Sequence, residues 1–172
     1  MLESETGIVN RVANSGLITF DLEEYYQPGE RVLVDIKDQL FQGMILREKD
    51  FRDYIKAKDW SIYTSKFVAI TCSADAIVPT WAYMLLSSAL QPFAKQIVFG
   101  DLATLEAKMY SDQLATIDWA SFANARIVIK GCSKVAVPLQ AYVEATRALR
   151  PYASSIMFGE ACSTVPVYKK PK

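Results

Sequence analysis

The sequence contains no histidine, and this absence excludes more than any other feature of the composition. Without an imidazole, the chain can have no Ser-His-Asp or Cys-His catalytic arrangement and no histidine metal ligand. The 19 basic and 19 acidic side chains cancel, which leaves a formal net charge of zero. A neutral chain has no general electrostatic attraction to nucleic acid or to an anionic membrane, so we expect neither as a partner.

Long apolar runs are also missing. The longest nearly apolar run, 76–86, is much shorter than the ~20 residues that a membrane-spanning helix needs. The first residues are acidic and lack the basic flank and apolar centre of a secretory signal. We therefore expect a soluble, cytoplasmic protein. Because the cytoplasm is reducing, we expect the three cysteines to be free thiols, metal ligands or core residues in preference to disulfides.

An internal repeat is the most informative feature that is present. At a constant offset of 59 and without gaps, residues 79–100 align with residues 138–159, and 10 of these 22 positions are identical. The identical pairs are Pro79/Pro138, Ala82/Ala141, Tyr83/Tyr142, Ala89/Ala148, Leu90/Leu149, Pro92/Pro151, Ala94/Ala153, Ile97/Ile156, Phe99/Phe158 and Gly100/Gly159. Upstream, the apolar runs 67–71 and 126–130 align at the same offset. Short β-branched runs of this kind are typical of buried strands.

Each repeat therefore has the pattern of a strand, a turn, a helix and a second strand. The first proline of each repeat suits the first turn of a helix, and the second proline ends that helix about 13 residues later. This pattern predicts an α/β fold with two internally repeated βαβ units, a mostly parallel sheet and an N-terminal β-rich extension. We predict a single domain, 1–172. Its parts are the β-rich subregion 1–65, the first repeat 66–101, a connecting helix in 102–124, the second repeat 125–165 and the tail 166–172.

Within the N-terminal subregion, the sequence predicts strands at 16–20, 31–36 and 39–46 and an amphipathic helix at 48–58. The predicted helix 79–90 is apolar on nearly every side, so something besides its own sheet must cover it. The N-terminal region is one candidate, and a second copy of the chain in a homodimer is the other.

The three cysteines, Cys72, Cys132 and Cys162, each follow a predicted strand and precede a serine. The carboxyl ends of parallel strands lie at one edge of a sheet, so these thiols can meet there although they are distant in sequence. Three thiolates bind either zinc with an open fourth position or an iron–sulfur cluster with one iron free. We therefore predict a zinc or iron–sulfur site on these three residues.

Without histidine, the fourth ligand has to be a carboxylate or water, and Asp75, Asp101 and Glu160 are the candidate carboxylates. Asp101 and Glu160 follow the paired glycines and are also candidates for a catalytic acid/base pair. Three functions stay open. The first is a metal- or iron–sulfur-binding accessory protein, and the second is a thiol- or carboxylate-dependent enzyme of unknown substrate. The third is a structural or protein-interaction module with inert buried cysteines.

Four segments have distinctive sequences: IVNRVANSGLITFDLEEYY, ITCSADAIVPTWAYMLL, VIKGCSKVAVP and MFGEACSTVPVYK. On these residues the chain resembles the family called domain of unknown function 2480 (DUF2480), over nearly its whole length. The resemblance brings no established activity. The family's genes often stand beside iron–sulfur cluster assembly genes, so the resemblance implies a role in cluster assembly or sulfur handling, with iron–sulfur assembly proteins as partners.

Overall fold

The structure is a computed structural model that describes residues 16–131 and 134–171 of the chain. These residues form a mixed α/β structure with seven strands and four α-helices. In chain order they are β1 (Leu17–Asp21), β2 (Arg31–Asp35), α1 (Glu48–Ala57), β3 (Phe67–Thr71), α2 (Thr80–Leu90), β4 (Gln96–Phe99), α3 (Leu102–Leu114), β5 (Arg126–Lys130), α4 (Leu139–Leu149), β6 (Ser155–Glu160) and β7 (Ser163–Lys169). None of the helices found between residues 16 and 171 has both the length and the apolar character needed to cross a membrane.

Contacts divide the chain into two compact units. The first unit contains the described residues 16–26 and those from 110 onward, and the second unit is Gln27–Met109. The second unit is therefore an insertion in the sequence of the first, after β1 and the short 3-10 helix Leu22–Tyr25 that follows it. The organisation of 1–172 as a single domain stays a prediction.

The first unit is built on a four-stranded sheet with the order β1-β5-β6-β7. The strands β1, β5 and β6 are parallel, and β7 pairs antiparallel with β6. Helix α4 packs its small and branched side chains on β5 and β6, because these residues recur on one side of the helix. The fully buried side chains of this contact are Ile127, Ile129, Ala141, Ala145, Leu149 and Ile156.

The second unit is built on a three-stranded parallel sheet with the order β2-β3-β4. Helices cover both of its faces, which explains why β3 is apolar at every position but its last. Val68 and Ile70 pack in one cluster with residues of α1 and α2. Phe67 and Ala69 pack in another cluster with Leu105 of α3.

The two β-α-β segments use matching positions. In the second unit Phe67 pairs with Gln96, and in the first unit Arg126 pairs with Ser155, which is the same register at an offset of 59. The buried positions of the helices follow the same offset: Ala82, Leu86 and Leu90 in α2, and Ala141, Ala145 and Leu149 in α4. The segments differ by one residue after the first strand, because Cys72 directly follows β3 whereas Gly131 separates β5 from Cys132.

The predicted strand 39–46 is wrong. This segment contains an isolated bridge between Phe41 and Ile45, with Gln42 and Gly43 at φ values of 52° and 71° between them. Two successive residues with positive φ reverse the direction of the chain. The segment therefore forms a tight turn and cannot continue as an extended strand.

Candidate functional site

The carboxyl ends of the strands in the second unit contain a hydrogen-bonded cluster centred on Asp35. Asp35 is the last residue of β2. One of its oxygens accepts from the backbone N–H of Ser73 at 3.1 Å and from that of Lys37 at 3.0 Å. The other oxygen accepts from the Ser73 hydroxyl at 2.5 Å. This carboxylate therefore holds the turn that follows β3 against the end of β2.

The pKa values of Asp35 and of the nearby Tyr83 are both shifted. Burial by itself raises the pKa of the Asp35 carboxyl, but the Ser73 and Lys37 hydrogen bonds outweigh it, so the net pKa is lower than usual. The pKa of the Tyr83 phenol is raised, first by burial and then by the nearby Cys72 and Asp35. Asp35 is therefore an anion and Tyr83 a neutral phenol at pH 7.

We expect Asp35→Asn to lower the free energy of unfolding at pH 7 by about 1 kcal/mol, since asparagine loses the charge-assisted bonds of a partly exposed site. Because the pKa of Asp35 is lowered by folding, its carboxylate stabilises the fold fully above the unfolded pKa of about 3.9. This stabilisation is lost as the pH falls through the folded pKa. Urea denaturation at pH 7 and at pH 3 measures the difference between variant and parent at each pH.

The exposed Asp38→Asn serves as the matched control for this measurement, since Asp38 lies in the 3-10 helix Lys37–Gln39 just after β2. We expect this control to change the free energy of unfolding by less than about 0.5 kcal/mol. An Asp35→Asn difference that is equally large at pH 3 and at pH 7 contradicts the charge-assisted role of the carboxylate.

The matching edge of the first unit carries an ion pair. Asp21 is the last residue of β1, and its carboxylate lies 3.2 Å from the Lys130 amine at the end of β5. The Asp21 hydrogen bond and charge, followed by the charges of Glu160 and Glu23, raise the pKa of Lys130.

A Cβ at Gly131 would lie 2.7 Å from the Tyr142 hydroxyl, so glycine leaves room for this phenol.

The prediction of a zinc or iron–sulfur site is wrong. In the described ranges 16–131 and 134–171, no group of three or more His, Cys, Asp or Glu residues is placed to hold a metal ion. The prediction required the strands before the cysteines to end at one sheet edge, but β3 and β6 belong to different sheets. The half-buried Cys72 thiol donates to the Ala74 carbonyl at 3.9 Å, and Cys162 is exposed. Cys132 lies outside the described residues.

The carboxylates predicted as a fourth ligand have other roles or positions. Asp101 accepts at 2.7 Å from both the backbone N–H and the hydroxyl of Thr104, in the first turn of α3. These bonds lower the pKa of the Asp101 carboxyl. Asp75 is exposed, and Glu160 is the exposed last residue of β6. Asp101 lies in the second unit and Glu160 in the first, and their role as an acid/base pair stays a prediction.

Each unit has an apolar groove between its crossover helix and a strand. The α4 groove of the first unit has a volume of about 360 Å³. Its lining residues are Ile129, Leu139, Tyr142, Thr146, Met157, Phe158 and Val167. The α2 groove of the second unit has a volume of about 530 Å³. Its lining residues are Ile70, Thr80, Tyr83, Met84, Ser87, Ser88, Gln91, Ile97 and Phe99.

The two grooves share an aromatic pair. Tyr83 and Phe99 meet edge to face in the α2 groove with their ring centroids 4.9 Å apart, and Tyr142 and Phe158 do so in the α4 groove at 5.8 Å. The rest of α2 is partly covered, since Trp81 packs on Phe51 of α1. The N-terminal region thus covers one side of this apolar helix, while the side that lines the groove stays open.

The family model described as "Protein of unknown function (DUF2480)" matches residues 6–170. The chain belongs to this family. Both grooves and both strand-end clusters lie inside the segment that the DUF2480 model covers. No curated protein and no solved structure matches the chain.

No role was predicted from the sequence for the aspartates at the strand ends of this DUF2480 member. Asp21 and Asp35 each end a short apolar strand, and each stands in register with the last residue of the next parallel strand. The signal that identifies them is a carboxylate directly after an apolar run in both N-terminal strands.

Proposed function

We propose that the chain is a protein-interaction module, built from two duplicated βαβ units, which forms a homodimer through helix 79–90 and the α2 groove. The observation that carries this proposal is the exposure of large apolar side chains in that groove: Met84 is 67% exposed and Phe99 is 62% exposed. A contiguous patch of exposed apolar side chains that is surrounded by polar residues is typical of protein interfaces. Ser88 and Gln91 provide such a rim here.

The duplication is supported by the shared offset. The same 59-residue offset relates the identical positions of the sequence, the strand registers and the buried positions of α2 and α4. Two copies of one ancestral unit can keep a common core and acquire different surfaces.

Two differences between the copies favour the second unit as the dimer surface. Among the described strands β4 pairs with β3 alone, whereas the matching strand β6 is paired on its other side by β7. Helix α2 also contains no charged residue, whereas α4 carries Glu144 and Arg147. A two-fold dimer places identical surfaces against each other, and an uncharged surface does so without repulsion.

We expect Met84→Glu to weaken the dimer by about a hundredfold or more, because the two-fold axis places two buried, unpaired carboxylates in one interface. Sedimentation equilibrium over a range of protein concentrations measures the dissociation constant. The measurement uses the full chain, and far-ultraviolet circular dichroism checks that the variant is folded.

The chain provides a matched control for this experiment. Val143 occupies the position of Met84 in α4 at the offset of 59, and it is 63% exposed. We expect Val143→Glu to leave the dimer intact. A parent protein that is monomeric at all concentrations overturns the proposal, as does a dimer that Val143→Glu weakens as much as Met84→Glu does.

A further inference from the structure

The α4 groove of the first unit continues into a second cleft that carries positive charge. This cleft has a volume of about 370 Å³ and is lined by Tyr142, Val143, Thr146, Arg147 and Arg150. Tyr142 and Thr146 line both the cleft and the α4 groove, so the two form one surface along α4. One end of this surface is almost wholly apolar, and the other end has two guanidinium groups.

The guanidinium groups are available to an anion. Arg147 is exposed and forms no ion pair with any residue of the described chain. The Arg150 guanidinium lies over the Tyr168 ring at 4.7 Å, which orients it without neutralising its charge. The acidic residue of α4, Glu144, accepts from the Ser111 hydroxyl and from the Gln140 amide, both at 2.7 Å. Its carboxylate is therefore engaged by neutral donors.

The matching positions of the second unit carry no charged side chains. At the offset of 59, Ser88 stands for Arg147 and Gln91 stands for Arg150, and both line the α2 groove. The core positions of the two helices match, whereas these surface positions differ. The pair of arginines is therefore not a requirement of the fold, which the second unit forms without them.

We propose that the α4 groove and its arginine cleft bind a fatty acid, with the acyl chain in the groove and the carboxylate between Arg147 and Arg150. The groove volume of about 360 Å³ lies in the range of small-molecule sites, which are mostly apolar with a few polar groups that fix orientation. From Leu139 to Arg150 the helix axis extends roughly 16 Å, which accommodates an extended chain of medium length. Arginine suits the head group because its planar donors match the two oxygens of a carboxylate.

Decanoic acid and decanol are the probes that separate the two parts of the site, since they share a chain and differ in the charge of the head group. Isothermal titration calorimetry with the full chain measures both dissociation constants, with decanoate below its critical micelle concentration and decanol below its solubility limit. We expect the double variant Arg147→Ser with Arg150→Gln, which installs the residues of the second unit, to weaken decanoate by about tenfold or more. We expect its affinity for decanol to stay within about twofold of the parent.

Chain length and a groove variant test the apolar part. Each methylene removed from the acid should weaken binding by about fourfold, because the transfer free energy of one buried CH₂ corresponds to about that factor in the dissociation constant. Phe158→Ala should weaken decanoate and decanol alike. Ile77→Ala, at an exposed residue of the second unit that lines neither groove, should change neither.

Three results overturn this proposal. The first is no saturable decanoate binding, the second is equal affinity for decanoate in the parent and the double arginine variant, and the third is binding only of an acidic apolar peptide. The outcome is separable from that of the proposed dimer, since the α4 groove belongs to the other unit. Loss of the dimer by Met84→Glu leaves decanoate binding unchanged if both proposals hold.

Discussion

Replacing Leu90 by alanine is expected to lower the free energy of unfolding by about 2–5 kcal/mol, the usual cost of a large-to-small substitution that leaves a cavity in a packed core. Leu90 is fully buried at the end of α2, among the core residues of the second unit. The other buried residues of its cluster belong to α1, β2 and β3 as well as α2, and such packed elements can collapse only partly into the space. Urea denaturation followed by tryptophan fluorescence and circular dichroism measures the loss.

The same substitution at Leu149, the matching position of the first unit, shows whether the units unfold together. Leu149 is also fully buried, at the end of α4. If 1–172 is a single domain, as we predict, each variant shifts one common transition by about 2–5 kcal/mol. Two transitions, of which Leu90→Ala shifts one and Leu149→Ala shifts the other, contradict the single domain.

Gly159→Ala is the second substitution for which we expect a large effect, a loss of about 3 kcal/mol or more in the free energy of unfolding. Gly159 lies in β6 at a φ of 120°, a conformation that residues with a side chain rarely adopt. A Cβ at this position would also lie 2.6 Å from the backbone oxygen of Ser163. That oxygen belongs to β7, whose pairing with β6 prevents it from moving aside.

Gly43→Ala separates the two causes of this loss. Gly43 has a φ of 71°, and nothing lies within 4 Å of a Cβ built there. The substitution therefore costs only the backbone strain, about 1–2 kcal/mol. A Gly159→Ala variant that loses no more stability than Gly43→Ala would show that the close approach of Ser163 is not maintained in solution.

The helices and the parallel strands could be predicted because their signals are local. The connecting helix predicted within 102–124 corresponds to α3, and the predicted strands near 16 and 31 correspond to β1 and β2. Apolar periodicity, proline near the first turn and proline after the last turn act over a few residues, so a single sequence contains them completely.

The distribution of the strands over two sheets could not be predicted in the same way. β1 and β2 are both short apolar strands that end in aspartate, and nothing in their own residues indicates which later strand each will join. β1 pairs with β5 across more than 100 positions of sequence, while β2 pairs with β3. Such choices depend on the packing of the whole unit.

The antiparallel strand β7 was hidden by its proline. Pro166 pairs with Met157 next to an irregularity in the register, which is a position where a strand tolerates the missing N–H. The predicted metal site is wrong for a different reason. The prediction required the strands before all three cysteines to end at one edge of a single sheet. Two of the three cysteines follow strands of separate sheets, which no local pattern reveals.

The insertion of the second unit after β1 sets an order on folding during synthesis. β2, β3, β4 and the start of α3 leave the ribosome before β5, so the inserted unit has all of its strands while β1 still lacks a neighbour. Translation adds roughly 5–20 residues per second, so the partner strand β5 follows β1 after roughly 5–20 seconds. During that interval the nascent chain carries an unpaired apolar segment, the form in which strands are most prone to aggregate. Chaperones that bind extended apolar segments should therefore contact this protein at β1 more than at any strand of the inserted unit.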